Sequence, residues 1–152
     1  CLSEWSSDVC SSDLIFFTNK NSDKAKDLKE NPLCTLLFSW IDLHRQVIIK
    51  GKASEISEED SQSYFKTRPY GSQISAWVSN QSEVISSRQF LEDKVKDFMD
   101  KYPTEVPMPN HWGGYLVSVN SMEFWQGRPS RLHDRIRYTK SATNWIIERI
   151  SP

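Results

Sequence analysis

The chain has 152 residues, of which 38% are hydrophobic and 26% are charged, and its formal net charge is −1. These values are typical of one globular domain that can bury a core, and they exclude a disordered chain. A nearly neutral protein is also not expected to be a general nucleic-acid binder, which is usually strongly basic.

The sequence carries no membrane or secretion signal. No run is long and apolar enough to span a membrane, and the start lacks the charged, apolar and cleavage regions of a signal peptide. The three cysteines, Cys1, Cys10 and Cys34, form no even disulfide framework. We therefore expect a reduced, cytoplasmic protein.

The first fourteen residues, CLSEWSSDVCSSDL, are rich in Ser and Asp and show no hydrophobic period. Such a stretch is typical of a flexible terminus or of a junction scar that does not belong to the fold, and we favour the scar. The sequence thus predicts a foreign leader over residues 1–14 and one domain over residues 15–152.

Residues 14–56 carry the signals of three strands and one helix. LIFFT predicts a strand, and NSDKAKDLKENP predicts a short helix with Ser22 as N-cap and Pro32 beyond its end. LCTLLFSWI is nearly all apolar, so it is either a strand buried on both faces or a buried helix segment, and its aromatic residues favour the strand. After a short DLH connection, RQVIIKGKASEI predicts the antiparallel partner of that strand.

Residues 57–112 have the pattern of helices. SEEDSQSYFKTRP begins with Ser57 and acidic residues, which is typical of a helix start, and GSQISAWVS predicts a second short helix. SRQFLEDKVKDFMDKY is the clearest helix, because one apolar face runs along it. That face consists of Leu91, Val95, Phe98 and Tyr102. PTEVPMPNHW then predicts a proline-rich loop.

The end of the chain returns to strands, in GGYLVSVNSMEFWQG and NWIIERI. An order of strands, helices and strands predicts an α+β fold with a mainly antiparallel sheet or small barrel. Between these two strands lies a basic row, formed by Arg131, His133, Arg135 and Arg137. If this row is a strand, its alternate residues share one face, and a small anionic ligand is expected there.

Other polar residues are weaker candidates when they are taken singly. Tyr64, Arg68 and Ser72 recur every four residues and offer phosphate donors, but a solvated helix end explains that segment better. Lys24 stands near a helix start, where phosphates bind well, although it is equally a surface lysine. The same balance holds for the remaining polar and aromatic candidates, which are Thr18, Gln46, Gln81, Ser82 and Trp125.

Several families of catalytic motif are missing from the sequence. There is no Cys/His cluster with zinc spacing, no Walker loop, no Gly-x-Gly-x-x-Gly after a strand, and no nucleophile elbow. The sequence therefore supports neither metal nor hydrolytic chemistry, and we predict no metal site.

Together, the quoted stretches resemble one family. FFTN, RQV, YFKTRPYGSQISAWVSNQS, WGGY, EFWQGRPSRLHDR and the closing W…ERISP are similar in order and spacing to the pyridoxine (pyridoxamine) 5′-phosphate oxidases, from about Ile15 onward. The resemblance implies an FMN-binding split β-barrel with flanking helices, and a homodimer with FMN in its interface. It also implies oxidation of pyridoxine or pyridoxamine 5′-phosphate to pyridoxal 5′-phosphate, with oxygen as acceptor and hydrogen peroxide as by-product.

The resemblance further implies a role for each matching residue. Arg131 and His133, with Leu132 between them, match contacts to the vitamin ring, and Arg131 is expected to position the substrate for hydride transfer. The substrate phosphate positions match Tyr64, Arg68 and Ser72. The FMN positions match Phe17, Thr18, Lys24, Gln46, Gln81, Ser82, Trp125 and Arg135. Arg137 matches no family site, and we interpret it as a surface residue.

Two departures from the family pattern bear on FMN binding. Asp23 precedes Lys24 where the family often has arginine, and a carboxylate there would repel phosphate unless it turns outward. The family also has a strand before FFTN that supplies basic ligands, and CLSEWSSDVCSSDL does not resemble it. We therefore expect this chain to bind FMN weakly and to have little oxidase activity.

Two other functions remain open from the sequence. A non-catalytic relative could bind flavin or pyridoxal phosphate without turnover, as the missing strand suggests. A binding module for another phosphorylated ligand would explain the basic row without flavin. Flavin absorbance in the purified protein would exclude this second reading.

Overall fold

A computed structural model describes residues 13–152, which contain an antiparallel sheet and four α-helices. The strands in these residues are β1 Asp13–Asn19, β2 Leu33–Trp40, β3 Arg45–Glu55, β4 Trp112–Gln126, β5 Asp134–Lys140 and β6 Trp145–Arg149. The α-helices are α1 Asp23–Glu30, α2 Glu58–Thr67, α3 Tyr70–Val78 and α4 Arg88–Lys101. Short 3-10 turns lie at Ile41–Leu43 and Pro129–Arg131. The predicted α+β class is confirmed.

The described chain divides into two compact units. The first, which we call the helical unit, comprises Ile15–Asn31 and Glu55–Leu116 and contains all four helices. The second, the strand unit, comprises Pro32–Ser54 and Val117–Pro152. Across residues 13–152, every helix is too short or too polar to cross a membrane. The cytoplasmic location stays a prediction.

The core of the helical unit is aromatic. Phe17, Phe65 and Trp112 are buried there together with Ile74, Val78 and Val106. The ring centroid of Phe17 lies 5.1 Å from that of Trp112, and the two rings are stacked. Stacked aromatic side chains bury a large apolar area in a defined geometry. This core therefore fixes the position of β1 and of the polar side chains on it.

The helices begin where the sequence predicts. Ser57 caps α2, because its side chain accepts a hydrogen bond from the Asp60 amide, and Ser87 caps α4 in the same way. Ser22 is the N-cap of α1, as predicted, but its side chain makes no cap hydrogen bond. The predicted apolar face of α4 is also confirmed, since it packs partly buried against the core of the helical unit.

The strand unit is built on antiparallel pairs. The strand order is β2-β3-β4-β5-β6, and β1 pairs with β4 off this path. The predicted antiparallel pairing of β2 with β3 is confirmed, from Leu33 opposite Lys52 to Trp40 opposite Arg45. The prediction that β2 is buried on both faces is wrong. Leu33 and Leu37, which share one face of β2, are 65% and 61% exposed. A strand face is buried only where another element packs on it, and an apolar sequence does not by itself supply that element.

The basic row is not a continuous strand. β5 begins at Asp134, so Arg131 and His133 precede it and only Arg135 and Arg137 alternate along it. Pro129 starts a 3-10 turn, and Ser130 and Arg131 follow with φ angles of 58° and 61°. A residue with positive φ cannot continue a β-strand, which is why the predicted strand is broken there.

Candidate functional site

The helical unit brings three of the predicted cofactor residues into one hydrogen-bonded cluster. The Lys24 Nζ donates to Thr18 Oγ1 at 3.2 Å, and the Thr18 hydroxyl donates to Gln81 Oε1 at 2.7 Å. Thr18 is only 4% exposed, and it is held by β1, while Lys24 lies in the first turn of α1. A cation and a helix N-terminus at one place form a setting that suits a phosphate group.

The start of α1 also receives Ser82. The Asp23 amide donates to Ser82 Oγ at 3.2 Å, and Ser82 adopts a left-handed backbone with φ 73°. The Asp23 carboxylate is exposed and forms an ion pair with Lys26 at 3.3 Å. The charge that was expected to repel phosphate therefore has a cation beside it. Ser22 Oγ is fully buried, and within residues 13–152 it has no hydrogen-bond partner.

A small cleft joins this cluster to Arg68. The cleft has a volume of about 150 Å³, below the roughly 300–1,000 Å³ of a site that encloses a drug-sized ligand. The Arg68 guanidinium carbon lies 5.0 Å from the ring centroid of Trp112, so that ring orients it by a cation–π contact. The cleft is lined by Phe17, Thr18, Asn19, Arg68, Ser75, Ala76, Ser79, Gln81 and Trp112.

The other two predicted phosphate residues lie outside that lining. The Tyr64 ring stacks on Phe17 with 3.9 Å between ring centroids. Ser72 lies in the first turn of α3 and is half-buried, and its amide donates to the Pro69 carbonyl. Arg68 is the C-cap of α2 and Pro69 the N-cap of α3, so the three predicted residues flank one tight connection between two helices.

The strand unit contains a larger pocket that brings together two predicted flavin residues, Gln46 and Trp125. Its volume is about 350 Å³, within the range of small-molecule sites. Arg45 Nε donates to Gln126 Oε1 at 2.7 Å in its wall. The pocket is lined by Trp40, Arg45, Gln46, Val47, Phe124, Trp125, Gln126, Arg128, Asp134 and Ile136.

Arg135 is held by a carboxylate. Its Nε donates to Glu123 Oε1 at 2.7 Å, and its Nη1 donates to the Ser151 carbonyl at 3.0 Å. The Glu123 side chain is 17% exposed, so it is the most buried acid of the described ion pairs. The hydrogen bond that Arg135 donates to Glu123 raises the pKa of Arg135, which keeps the guanidinium charged. One side of the guanidinium is thereby fixed.

The predicted ring-contacting residues occupy the turn between β4 and β5. Arg131 and Leu132 are exposed, whereas His133 is partly buried, with its ring centroid 4.8 Å from that of Trp125. The Arg128 amide donates to His133 Nδ1 at 3.1 Å. Arg131, His133 and Trp125 are thus gathered within one turn and the strand that leads into it.

Asp134 ties this turn to the neighbouring strand. Its carboxylate accepts from Arg128 Nε at 2.7 Å and from Arg149 Nη1 at 2.5 Å. These two hydrogen bonds, that from Arg128 first, hold the pKa of Asp134 below its ordinary value. Arg137 is paired elsewhere, with Glu148 at 2.8 Å.

Comparison with known proteins shows to which family the chain belongs. A family model described as "Pyridoxamine 5'-phosphate oxidase" matches residues 7–101, and one described as "Pyridoxine 5'-phosphate oxidase C-terminal dimerisation region" matches residues 112–152. The chain belongs to the pyridoxamine 5′-phosphate oxidase family. The resemblance found in the sequence is confirmed. The leader predicted over residues 1–14 lies almost wholly outside the described residues and stays a prediction, and the first match includes its second half.

Curated members of the family are close in sequence to this one. The chain is 54% identical over 140 residues to "Pyridoxine/pyridoxamine 5'-phosphate oxidase" of Rippkaea orientalis, covering 91% of this chain and 66% of that protein. It is 54% identical over 138 residues to the protein of the same name from Haemophilus influenzae, with the same coverage. The chain therefore spans just under two thirds of the length of these oxidases.

Solved structures give the same fold. PhzG from Burkholderia lata 383, in complex with tetrahydrophenazine-1-carboxylic acid, superposes with a TM-score of 0.83 at 26% identity, over 91% of this chain and 68% of that one. A pyridoxamine 5′-phosphate oxidase-related, FMN-binding protein from Nostoc punctiforme superposes with a TM-score of 0.72 at 15% identity, over 94% and 75%. The split β-barrel fold that the resemblance predicted for this oxidase family member is confirmed.

Several residues in these sites were not predicted from the sequence, and four of them make the contacts that matter most here. Asn19 and Trp112 line the cleft, Glu123 holds Arg135, and Asp134 receives two arginines. All four stand inside or beside stretches that resemble the family, in FFTN, WGGY and EFWQGRPSRLHDR. For the two acids, the available signal was a carboxylate in the same family-like stretch as a predicted arginine, which the sequence alone does not distinguish from a surface charge.

Proposed function

We propose that this chain is an FMN-dependent oxidase that converts pyridoxamine or pyridoxine 5′-phosphate to pyridoxal 5′-phosphate, with oxygen as acceptor and hydrogen peroxide as product. The names of the relatives at 54% identity support this function. The observation that carries it is the hydrogen-bonded cluster of Lys24, Thr18 and Gln81 beside the start of α1, of which Thr18 and Gln81 line one cleft with Arg68. It suits the phosphate end of a ligand.

The donor set of the helical unit is consistent with FMN phosphate. The Lys24 ammonium, the Thr18 and Ser82 hydroxyls and the first amides of α1 are the donors that phosphate oxygens accept from. Ser22 Oγ is a further hydroxyl, buried without a described partner.

The strand unit is suited to an aromatic ligand. Gln46 and Trp125 line a mainly apolar pocket of about 350 Å³, and Arg135 is fixed beside Glu123 on the neighbouring strand pair. When bound, FMN supplies the hydride acceptor, and the protein does not need a catalytic acid or base for that transfer. Gln46 and Trp125 would orient the ring, and Arg135 would offset negative charge on it.

The substrate residues complete the proposal. We infer that Tyr64, Arg68 and Ser72 hold the substrate phosphate, because hydroxyls and a guanidinium fork flank one helix connection. Arg131 would position the reacting carbon over the ring, and its exposed guanidinium is free to approach a ligand. His133 would hydrogen-bond the polar edge of the vitamin ring, with Leu132 between the two residues. The reaction is proposed to take place in the cytoplasm.

We infer a homodimer with FMN in its interface. The family model over residues 112–152 is described as a dimerisation region. Four large apolar side chains in that region are exposed, namely Phe124 at 43%, Leu132 at 71%, Ile146 at 53% and Ile147 at 59%. Several exposed apolar side chains in one region of a chain are typical of a subunit interface.

The test is to add FMN to the purified chain, follow the quenching of flavin fluorescence, and assay pyridoxal phosphate and peroxide from both vitamer phosphates. We expect weak but saturable quenching and slow, phosphate-dependent turnover, in keeping with the two departures from the family pattern. Lys24→Gln should weaken FMN binding, whereas Lys29→Gln in the last turn of the same helix should not. Flavin binding without turnover would indicate a non-catalytic relative. Turnover of tetrahydrophenazine-1-carboxylic acid alone would exclude the vitamer phosphates as substrates.

A further inference from the structure

Residues 127–133 connect β4 to β5 through a strained turn. Ser130 and Arg131 are consecutive residues with φ of 58° and 61°, a conformation that costs non-glycine residues energy. Such a turn persists only where surrounding contacts hold it. In the described hydrogen bonds of this turn, neither the Ser130 nor the Arg131 side chain takes part, so other residues hold the turn in place.

The turn is fastened at Arg128 by two separate bonds. The Arg128 side chain donates from Nε to Asp134 Oδ2 at 2.7 Å, and the Arg128 amide donates to His133 Nδ1 at 3.1 Å. Asp134 is itself fixed, because Arg149 of β6 donates to its other oxygen and because it pairs with Gln126 at the end of the β4–β5 ladder. Asp134 therefore lies between the sheet and the turn.

This arrangement determines which nitrogen of His133 can donate. An Nδ1 that accepts a hydrogen bond from an amide carries no proton, so the proton of the neutral ring is on Nε2. The ring is also packed against Trp125. His133 thus presents an oriented Nε2–H donor, and its direction depends on the position of the Arg128 amide.

We propose that Asp134 is a positioning residue, which holds Arg128 so that the amide of Arg128 orients His133 for the substrate ring. This inference rests on the proposed function, in which His133 contacts that ring. Asp134 and Arg128 also line the pocket of the strand unit, but the role proposed here requires no contact between Asp134 and substrate or FMN. Its effect is transmitted through one side chain and one backbone amide.

The ion pairs of Asp134 with Arg128 and Arg149 are exposed, so their main effect is expected on the geometry of the turn and not on folding stability. Asp134 is 35% exposed, Arg128 56% and Arg149 67%, and ion pairs that face solvent add little to stability. The pair Arg137–Glu148 spans the same two strands, with similar exposure, and does not touch the turn. It provides a matched control.

The first experiment measures hydrogen exchange of the Arg128 amide and the ¹⁵N shift of His133 Nδ1 in the 152-residue chain. Asp134→Asn should raise the exchange rate of that amide about tenfold, the change expected for one lost hydrogen bond, and should shift the Nδ1 resonance. Glu148→Gln should change neither. Unchanged exchange and an unchanged Nδ1 shift in Asp134→Asn would overturn the proposal. Arg128→Ala keeps the amide but removes its side-chain tie, and should behave like Asp134→Asn.

The second experiment is a double-mutant cycle on turnover with added FMN. Asp134→Asn should lower kcat/KM about tenfold, and adding it to His133→Gln should cause no further loss, since both act through the same ring. Fully additive losses would show that Asp134 acts elsewhere and overturn the proposal. If the unmodified chain does not oxidise either vitamer phosphate, the proposed function fails, while the exchange of the Arg128 amide still decides whether Asp134 fixes the turn.

Discussion

The two units of the molecule order their candidate site residues in different ways. In the helical unit, Lys24 and Gln81 both bond to Thr18, which is buried beside an aromatic core. In the strand unit, Arg131 and His133 lie on a turn held by exposed ion pairs of Asp134. The residues that set the site geometry therefore also stabilise the fold in the helical unit, whereas in the strand unit the two roles are largely separate. Variants should reveal that difference.

The largest effect is expected at Arg131. Arg131→Ala should lower kcat by about 10²–10³-fold, the loss typical of one group that stabilises transition-state charge, with little change in FMN retention or thermal stability. Stopped-flow reduction of bound flavin measures the chemical step. Arg137→Ala, also on the basic row but paired with Glu148, is the control and should be nearly silent. Loss of FMN with unchanged turnover per bound flavin would mean that Arg131 is a cofactor residue.

Arg68 tests the coupling expected in the helical unit. Arg68→Lys should raise KM for the phosphorylated substrate by a factor equivalent to about 1–3 kcal/mol of binding free energy. The reason is that the ammonium of lysine does not replace a bidentate guanidinium donor. The substitution should also lower the melting temperature slightly, since the guanidinium packs on Trp112. Steady-state kinetics with phosphorylated and unphosphorylated vitamer measure the first effect. Equal losses for both substrates would show that Arg68 is structural.

Two neighbouring glycines, Gly113 and Gly114, test how closely the core is packed, because a side chain added at each would meet different atoms. A Cβ on Gly114 would lie 2.6 Å from Ile56 Cδ1 and 2.8 Å from Phe17 Cε1, in the core beneath the cleft. Gly114→Ala should therefore cost about 1–3 kcal/mol of unfolding free energy, as overpacking does, and should weaken FMN binding. The three atoms nearest to a Cβ on Gly113 all belong to the flexible end of Lys20, so Gly113→Ala should cost less. Urea denaturation of both variants measures this, and equal costs would contradict it.

The smallest effect concerns pH and Asp134. Its pKa is lowered from the ordinary value of 3.8 by Arg128 and Arg149, so the carboxylate contributes stability above pH 3.8. That contribution is lost as the pH falls through the lowered folded-state pKa. The stability difference between the wild type and Asp134→Asn should therefore be small near pH 6 and vanish in strong acid. Denaturation midpoints of both proteins across this pH range measure the stability difference. A difference that grows as the pH falls would contradict the lowered pKa of Asp134.

Much of the fold was predictable, because its signals are local. Ser57 and the apolar face of α4 predict helices through side chains that lie one turn apart, and the structure has both. The burial of β2 was not predictable, since an apolar strand has the same sequence whether or not another element covers it. The candidate site residues were found through a family resemblance rather than through spacing. Tyr64 and Ser72 did not join the lining of the cleft with Arg68.

The helix starts, the order of strands and helices, and the family membership all follow from the sequence. Three features became visible in the folded chain alone: Arg131 lies in a left-handed turn, Glu123 holds Arg135, and Asp134 receives hydrogen bonds from two arginines. The two groups of features differ in the range of the interactions behind them. Caps and periodic faces act within a few residues, whereas an ion pair between β5 and β6 depends on strand register. A positive φ at serine or arginine depends on contacts around the turn, and residue type does not predict it.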